Sequence, residues 1–180
     1  MYVTVYTSST AFPTTVGSFA TTLNGTADIF ITKMNPTGTG LVYSTYIGGN
    51  NDDISWGISV DSIGNAYIAG RTLSSNFPLT AGALDSTNTG VFLSKLNASG
   101  SNLLYSTFIG SGYGYGLALD SSGGIYLTGS TGSSSFPTTL GALDTTYNSG
   151  SYDAFVTKLD AIPILNIDQW QFYGINTQVK

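Results

Sequence analysis

The chain has 180 residues, with 10 acidic against 5 basic side chains, a formal net charge of −5 and 8% charged residues, where an ordinary soluble domain carries roughly 25%. Every acid is an aspartate, and there is no glutamate, histidine or cysteine; a Ser/His/Asp triad, a cysteine nucleophile, a disulfide, an iron–sulfur cluster and a histidine-ligated zinc or haem are therefore excluded. Five scattered cations form no basic stripe, so neither nucleic acid nor an anionic membrane is an expected partner, and no apolar run reaches the roughly 18–20 residues that span a bilayer.

At 41% hydrophobic, with 23 glycines, 12 tyrosines and 9 phenylalanines, the composition predicts a domain of strands and tight turns with almost no helix. Met1 runs straight into strand-like sequence with no leader pattern, so a processed product or a piece of a longer chain is expected. A first strand around Tyr2 precedes the block Phe12-Pro13-Thr14-Thr15-Val16-Gly17-Ser18-Phe19. Strands then follow at about 28–34, 41–47, 55–61 and 66–70. They are separated by Asn35-Pro36-Thr37-Gly38, by Gly48-Gly49-Asn50-Asn51-Asp52-Asp53, and by the hairpin turn Asp61-Ser62-Ile63-Gly64-Asn65. After Phe77-Pro78 the pattern returns. Residues 28–35 reappear as 90–97 and as 153–160, at offsets of 62 and 63, and the Phe-Pro block recurs at Phe136-Pro137. The second set of strands falls at 91–96, 103–109, 115–119 and 125–129. A period of this length with four short strands per unit indicates propeller blades.

The string Phe30-Ile31-Thr32-Lys33-Met34-Asn35-Pro36-Thr37-Gly38, with Leu41-Val42-Tyr43-Ser44-Thr45-Tyr46-Ile47-Gly48-Gly49, Asp52-Asp53, residues 60–70 and Phe77-Pro78, closely resembles the SBBP β-propeller repeat. The resemblance covers residues 2–160. The second unit departs from it at Gly112–Gly116, where the paired aspartates are missing. It implies an extracellular or cell-surface protein of tandem repeats, with no reaction assigned. The expected fold is all-β and β-propeller-like, with four-stranded antiparallel blades repeating about every 62 residues. Residues 28–89 and 90–152 are read as complete blades. Residues 1–27 hold the last strand and connection of a partial blade, 153–160 the first strand of another, and 161–180 a non-repeat tail serving as strand donor or linker.

A ring typically needs four to eight blades, so two blades plus fragments leave edges and apolar faces to cover. The leading expectation is non-enzymatic: copies of the chain associate head to tail through their incomplete blades, closing a ring or growing a filament. Tyr2, Val3, Val5, Phe155, Val156, Leu159 and the tail residues Trp170, Phe172 and Tyr173 would form the joint. The alternative is a fragment of a surface propeller, completed by missing blades, that binds carbohydrate or protein. An aspartate-based hydrolase is the weakest reading.

Among single residues, Asp52 and Asp53 are the candidate calcium ligands, against a turn in which they cap backbone amides; no other cofactor is expected. Asp61 and Asp120 read as hairpin-turn residues. Lys33, Lys95 and Lys158 share one strand position and read as structural partners of those aspartates. The Phe-Pro blocks read as connections between blades. Trp56, Tyr113 and Tyr115 are placed near the loops after the second strand of each unit, where their faces would stack on sugar rings, against the reading of ordinary sheet aromatics. Asn24-Gly25-Thr26 and Asn97-Ala98-Ser99 fit the glycosylation pattern.

Overall fold

The computed structural model describes residues 1–87 and 89–160, together with the backbone of 176–179. Their regular structure is entirely β-strand: β1 (Tyr2–Thr7), β2 (Asp28–Met34), β3 (Leu41–Ile47), β4 (Asp53–Val60), β5 (Ala66–Thr72), β6 (Gly90–Leu96), β7 (Leu103–Gly110), β8 (Tyr113–Leu119), β9 (Ile125–Thr131), β10 (Asp153–Leu159) and β11 (Asn176–Val179). Three antiparallel sheets result: β1-β2-β3, β4-β5-β6-β7 and β8-β9-β10-β11.

The turns form as their residues dictate. The Asp61 carboxylate accepts the amides of Ile63 (3.2 Å) and Asn65 (2.8 Å), and Asp120 accepts those of Ser122 (2.9 Å) and Gly124 (2.8 Å). Gly64 and Gly123 supply the positive φ that closes each turn.

The grouping of strands corrects the expected blades. Residues 28–70 do not share one sheet: β2 and β3 pair with β1, whereas β4 and β5 pair with β6 and β7. The second sheet therefore joins the last two strands of one sequence unit to the first two of the next, while the first sheet has only β1 from the unit before it and the third completes β8, β9 and β10 with β11. The Phe-Pro blocks correspondingly run within a sheet and not between sheets. After β5, residues 73–87 pass along the outer edge of β7, where the Thr80 amide donates to Ser106 O (3.2 Å) and the Phe108 amide to Asp85 O (3.1 Å). The same wrap covers β3, through Thr15 to Ser44 O and Tyr46 to Ala20 O, both 3.0 Å. Pairing the outer edge in this way removes a site of unwanted strand addition. Phe77 anchors the wrap against Phe92, with ring centroids 4.8 Å apart, as Phe12 does against Phe30 (4.3 Å) and Phe136 against Phe155 (4.5 Å).

Part of the tail also departs from expectation. β11 pairs with β10 of its own chain, setting Thr177 opposite Thr157 and Val179 opposite Phe155. These are the registers that Ser106 and Phe108 hold opposite Ser94 and Phe92 in the second sheet, so β11 takes the place of an outer strand.

Two cores hold the sheets together. Ile29, Ile31 and Tyr43 of the first sheet meet Ile68, Phe92 and Leu96 of the second. On its other face the second sheet sets Val91, Leu93 and Ile109 against Leu127, Phe155 and Leu159 of the third. Strand β6 is buried along its whole length because it faces a core on each side. At the register of Val91 and Leu93, the third sheet carries Ala154 and Val156, both exposed.

Candidate functional site

The first strand of the second sheet and the first strand of the third each contain a β-bulge at the same level. In β4, Ser55 pairs with Gly70 and Gly57 with Ala69, leaving Trp56 as the extra residue. In β8, Gly114 pairs with Gly129 and Gly116 with Thr128, leaving Tyr115. A bulge redirects the side chain of its extra residue. The bulges fit because the partner strand has glycine there: a Cβ at Gly70 would collide with the Ile54 carbonyl, and one at Gly129 with the Tyr113 carbonyl. The two strands also approach closely face to face, since a side chain at Gly57 would come within 2.9 Å of Leu117 Cβ.

Side by side, the bulges build an aromatic step. The Trp56 and Tyr115 rings lie 5.5 Å apart at 64°. Tyr113 lies 6.0 Å from Tyr115 and nearly parallel to it, and 6.2 Å from Trp56. Tyr152 meets Tyr113 edge-on at 5.6 Å, and the Arg71 guanidinium sits 4.6 Å over the Tyr113 ring. Trp56 is 44%, Tyr115 48% and Tyr152 56% exposed. The adjacent Tyr113 raises the Tyr152 phenol, which stays a neutral donor at physiological pH.

Sequence reading singled out Trp56, Tyr113 and Tyr115, and the structure brings all three together, near the starts of β4 and β8, directly after the loops that follow β3 and β7. Arg71 and Tyr152 were not singled out. Arg71 is the sole arginine of the chain, a compositional signal that was available, whereas Tyr152 reaches the site only through a connection whose path no local pattern encodes.

The paired aspartates do not form one site. Asp53 is fully buried and accepts the Gly49 amide and the Ser74 hydroxyl, each at 2.7 Å, while Asp52 lies partly exposed. The carboxylate that acts on Asp53 is Asp28, also buried, which accepts the amides of Asn24 (2.8 Å) and Gly25 (3.2 Å). Burial raises both acids, and Asp28 raises Asp53 further. Among the described residues, no group of three or more acids is placed to hold a metal ion.

The lysines serve the sheets. Lys33, Lys95 and Lys158 lie over Tyr2, Tyr67 and Tyr126 at 5.2, 4.8 and 5.3 Å, and Lys95 reaches Asp61 at 3.6 Å.

The residues of the expected joint divide. Phe155 and Leu159 are core residues, 1% and 7% exposed, and cannot face another chain. Tyr2 and Val3 are half-buried on β1, whereas Val5 and Val156 are exposed. Trp170, Phe172 and Tyr173 lie outside the described residues. Val5 stands opposite Phe30, the register that Gly70 and Gly129 hold opposite Phe92 and Phe155.

Among known proteins, the family model for the SBBP beta-propeller repeat matches residues 42–78 and 105–137. The chain is similar to this repeat at these two places, and each match runs from the outer strand of one sheet into the first two strands of the next. No curated protein matches the chain.

Proposed function

We propose that this β-propeller-repeat chain is a non-enzymatic, extracellular binding module whose aromatic step takes a carbohydrate. One observation carries the reading: Trp56 and Tyr115, each the extra residue of a bulge, are turned out beside one another and left half-exposed. Large aromatic faces held rigidly in water are a feature of binding surfaces, and a sugar ring offers the flat C–H face that suits them. The lightly charged, hydroxyl-rich composition supports an extracellular setting. The turn aspartates Asp61 and Asp120, occupied by backbone amides, favour binding over hydrolysis.

The test is titration with a panel of neutral and acidic oligosaccharides, followed by tryptophan fluorescence, for the parent chain and for Trp56→Phe, which assigns the signal. Saturable quenching that Tyr115→Ala abolishes supports the reading, and a flat response across the panel overturns it.

A second reading, self-association, is favoured by the first strand. β1 forms one end of its sheet, exposes Val5 and Tyr6, and reads the same in both directions across Tyr2-Val3-Thr4-Val5-Tyr6. Two copies can therefore pair antiparallel about Thr4, valine opposite valine and tyrosine opposite tyrosine. Such a contact closes as a two-fold dimer. A head-to-tail joint is less favoured, because a bulged strand seated on β1 would meet Val5 where β5 and β9 have glycine. Native mass by light scattering decides: a dimer that Val5→Lys dissociates supports this reading, a monomer at the highest soluble concentration removes it, and a filament restores the head-to-tail form.

A further inference from the structure

We infer that the aromatic step selects a sugar bearing one carboxylate, a uronic acid unit on an otherwise neutral glycan, with Arg71 as the carboxylate receptor. The inference rests on the reading of the step as a carbohydrate site.

Arg71 pairs with Ile54 across β5 and β4 and lies half-buried beside the step. Its guanidinium is held over Tyr113, one ring away from both Trp56 and Tyr115. No carboxylate and no hydrogen-bond acceptor engages it among the described residues. That is unexpected in a chain with ten aspartates, because a guanidinium presents five N–H donors in a planar fork that matches a carboxylate two bonds at a time. Lys95, by contrast, has its Asp61.

The repeat itself does not ask for arginine at this position. The equivalent register is Tyr6 in β1, opposite Ile29, and Ser130 in β9, opposite Ala154. The charge occurs only on the sheet whose neighbour supplies Tyr113. Stacking on that ring fixes the guanidinium beside the platform while leaving its donors free. A pyranose seated on Trp56 and Tyr115 would direct a ring carboxylate to the fork, with the Tyr152 phenol as a further donor. A net charge of −5 opposes a long polyanion, which restricts the ligand to a single acidic unit.

The experiment compares three probes of one shape: a disaccharide ending in glucuronic acid, its methyl ester, and the glucose-ended counterpart. Each is titrated by calorimetry into the parent chain, Arg71→Gln, Arg71→Lys and Trp56→Ala. The inference predicts that the acid binds about tenfold or more tightly than the other two. Arg71→Gln erases that preference, so that acid, ester and glucose-ended probe bind alike, and Arg71→Lys restores it only in part, lacking the fork. Equal binding of acid and ester, or a preference that survives in Arg71→Gln, overturns the inference and leaves the carbohydrate reading in place. Binding of none of the three overturns both, and acid binding that persists in Trp56→Ala overturns the stacking reading on which it rests.

Discussion

Trp56 and Tyr115 occupy the same place in two successive repeats and touch each other across two sheets, their ring centroids 5.5 Å apart. Neither is needed to fill a core. Their position is fixed instead by the two bulges and by the glycines that admit them, Gly70 and Gly129.

The bulge glycines are therefore stringent positions. Gly129→Ala drives a methyl into the Tyr113 carbonyl and is expected to cost about 2 kcal/mol or more, read as a lower urea midpoint at unchanged m-value. Val5→Gly, at the same register of an uncovered strand, costs only about 0.5–1 kcal/mol. Equal midpoints for the two would show that the third sheet does not close around the bulge as described.

Phe155 tests the placement of the expected joint. It is packed under Phe136 in the core between the second and third sheets, so Phe155→Ala should lose about 3–5 kcal/mol without changing native mass. Trp56→Ala, at an exposed site, should lose about 1 kcal/mol or less. A Phe155→Ala chain of parental stability and altered mass would return Phe155 to an interface.

Acidity acts through two sets of carboxyls. Burial holds Asp28 and Asp53 above their ordinary value of 3.8. The Ser122 hydroxyl and the Gly124 amide hold Asp120 down at about 2, and Thr146 does the same for Asp144, also at about 2. A carboxyl raised on folding costs stability above its folded pKa, and that cost disappears as the pH falls to 3.8; a lowered one contributes stability that is lost as the pH falls from 3.8 toward 2. The melting temperature should accordingly climb on acidification from neutral, peak near pH ~4 and then fall. Asp53→Asn should flatten the climbing limb and leave the falling limb intact. A profile that is level between neutral and the peak contradicts the assignment.

The strand supplied by the tail is checked by truncation. Removing residues 176–180 uncovers the edge of β10, and amides within Asp153–Leu159 that face β11 should exchange about tenfold faster or more, while those of β6 keep their protection. Unaltered exchange in β10 would show that β11 adds no protection to that edge.

Much of this architecture was legible in the sequence. The repeat, the position of nearly every strand and the turn roles of Asp61 and Asp120 follow from patterns a few residues long. The frame did not, for a physical reason: an array of four strands repeated in series can be cut into blades at four places, and local sequence is the same for each. The long stretch 73–87 looks like a crossing between blades, yet its backbone pairs with the edge of β7 through Thr80 and Asp85, a relation between residues more than twenty apart. Gly57 and Gly114, inside apolar strands, are the local signs of the two bulges, and the pairing of Trp56 with Tyr115 follows once both strands are bulged at the same level. The tail reads as a strand donor or a linker, but Asn176–Val179 carries no alternation of apolar residues, so nothing local sets that strand at 176–179 or on β10 of its own chain.

The burial of β6 on both faces reaches beyond packing. Alternate residues of this one strand, Val91 and Leu93 on one side and Phe92 and Leu96 on the other, belong to separate cores. Melting either core strips one face of β6 and weakens its hold on the other. The described sheets are thereby made mechanically dependent on a seven-residue segment, and this sharing should make them gain or lose their order together, not sheet by sheet.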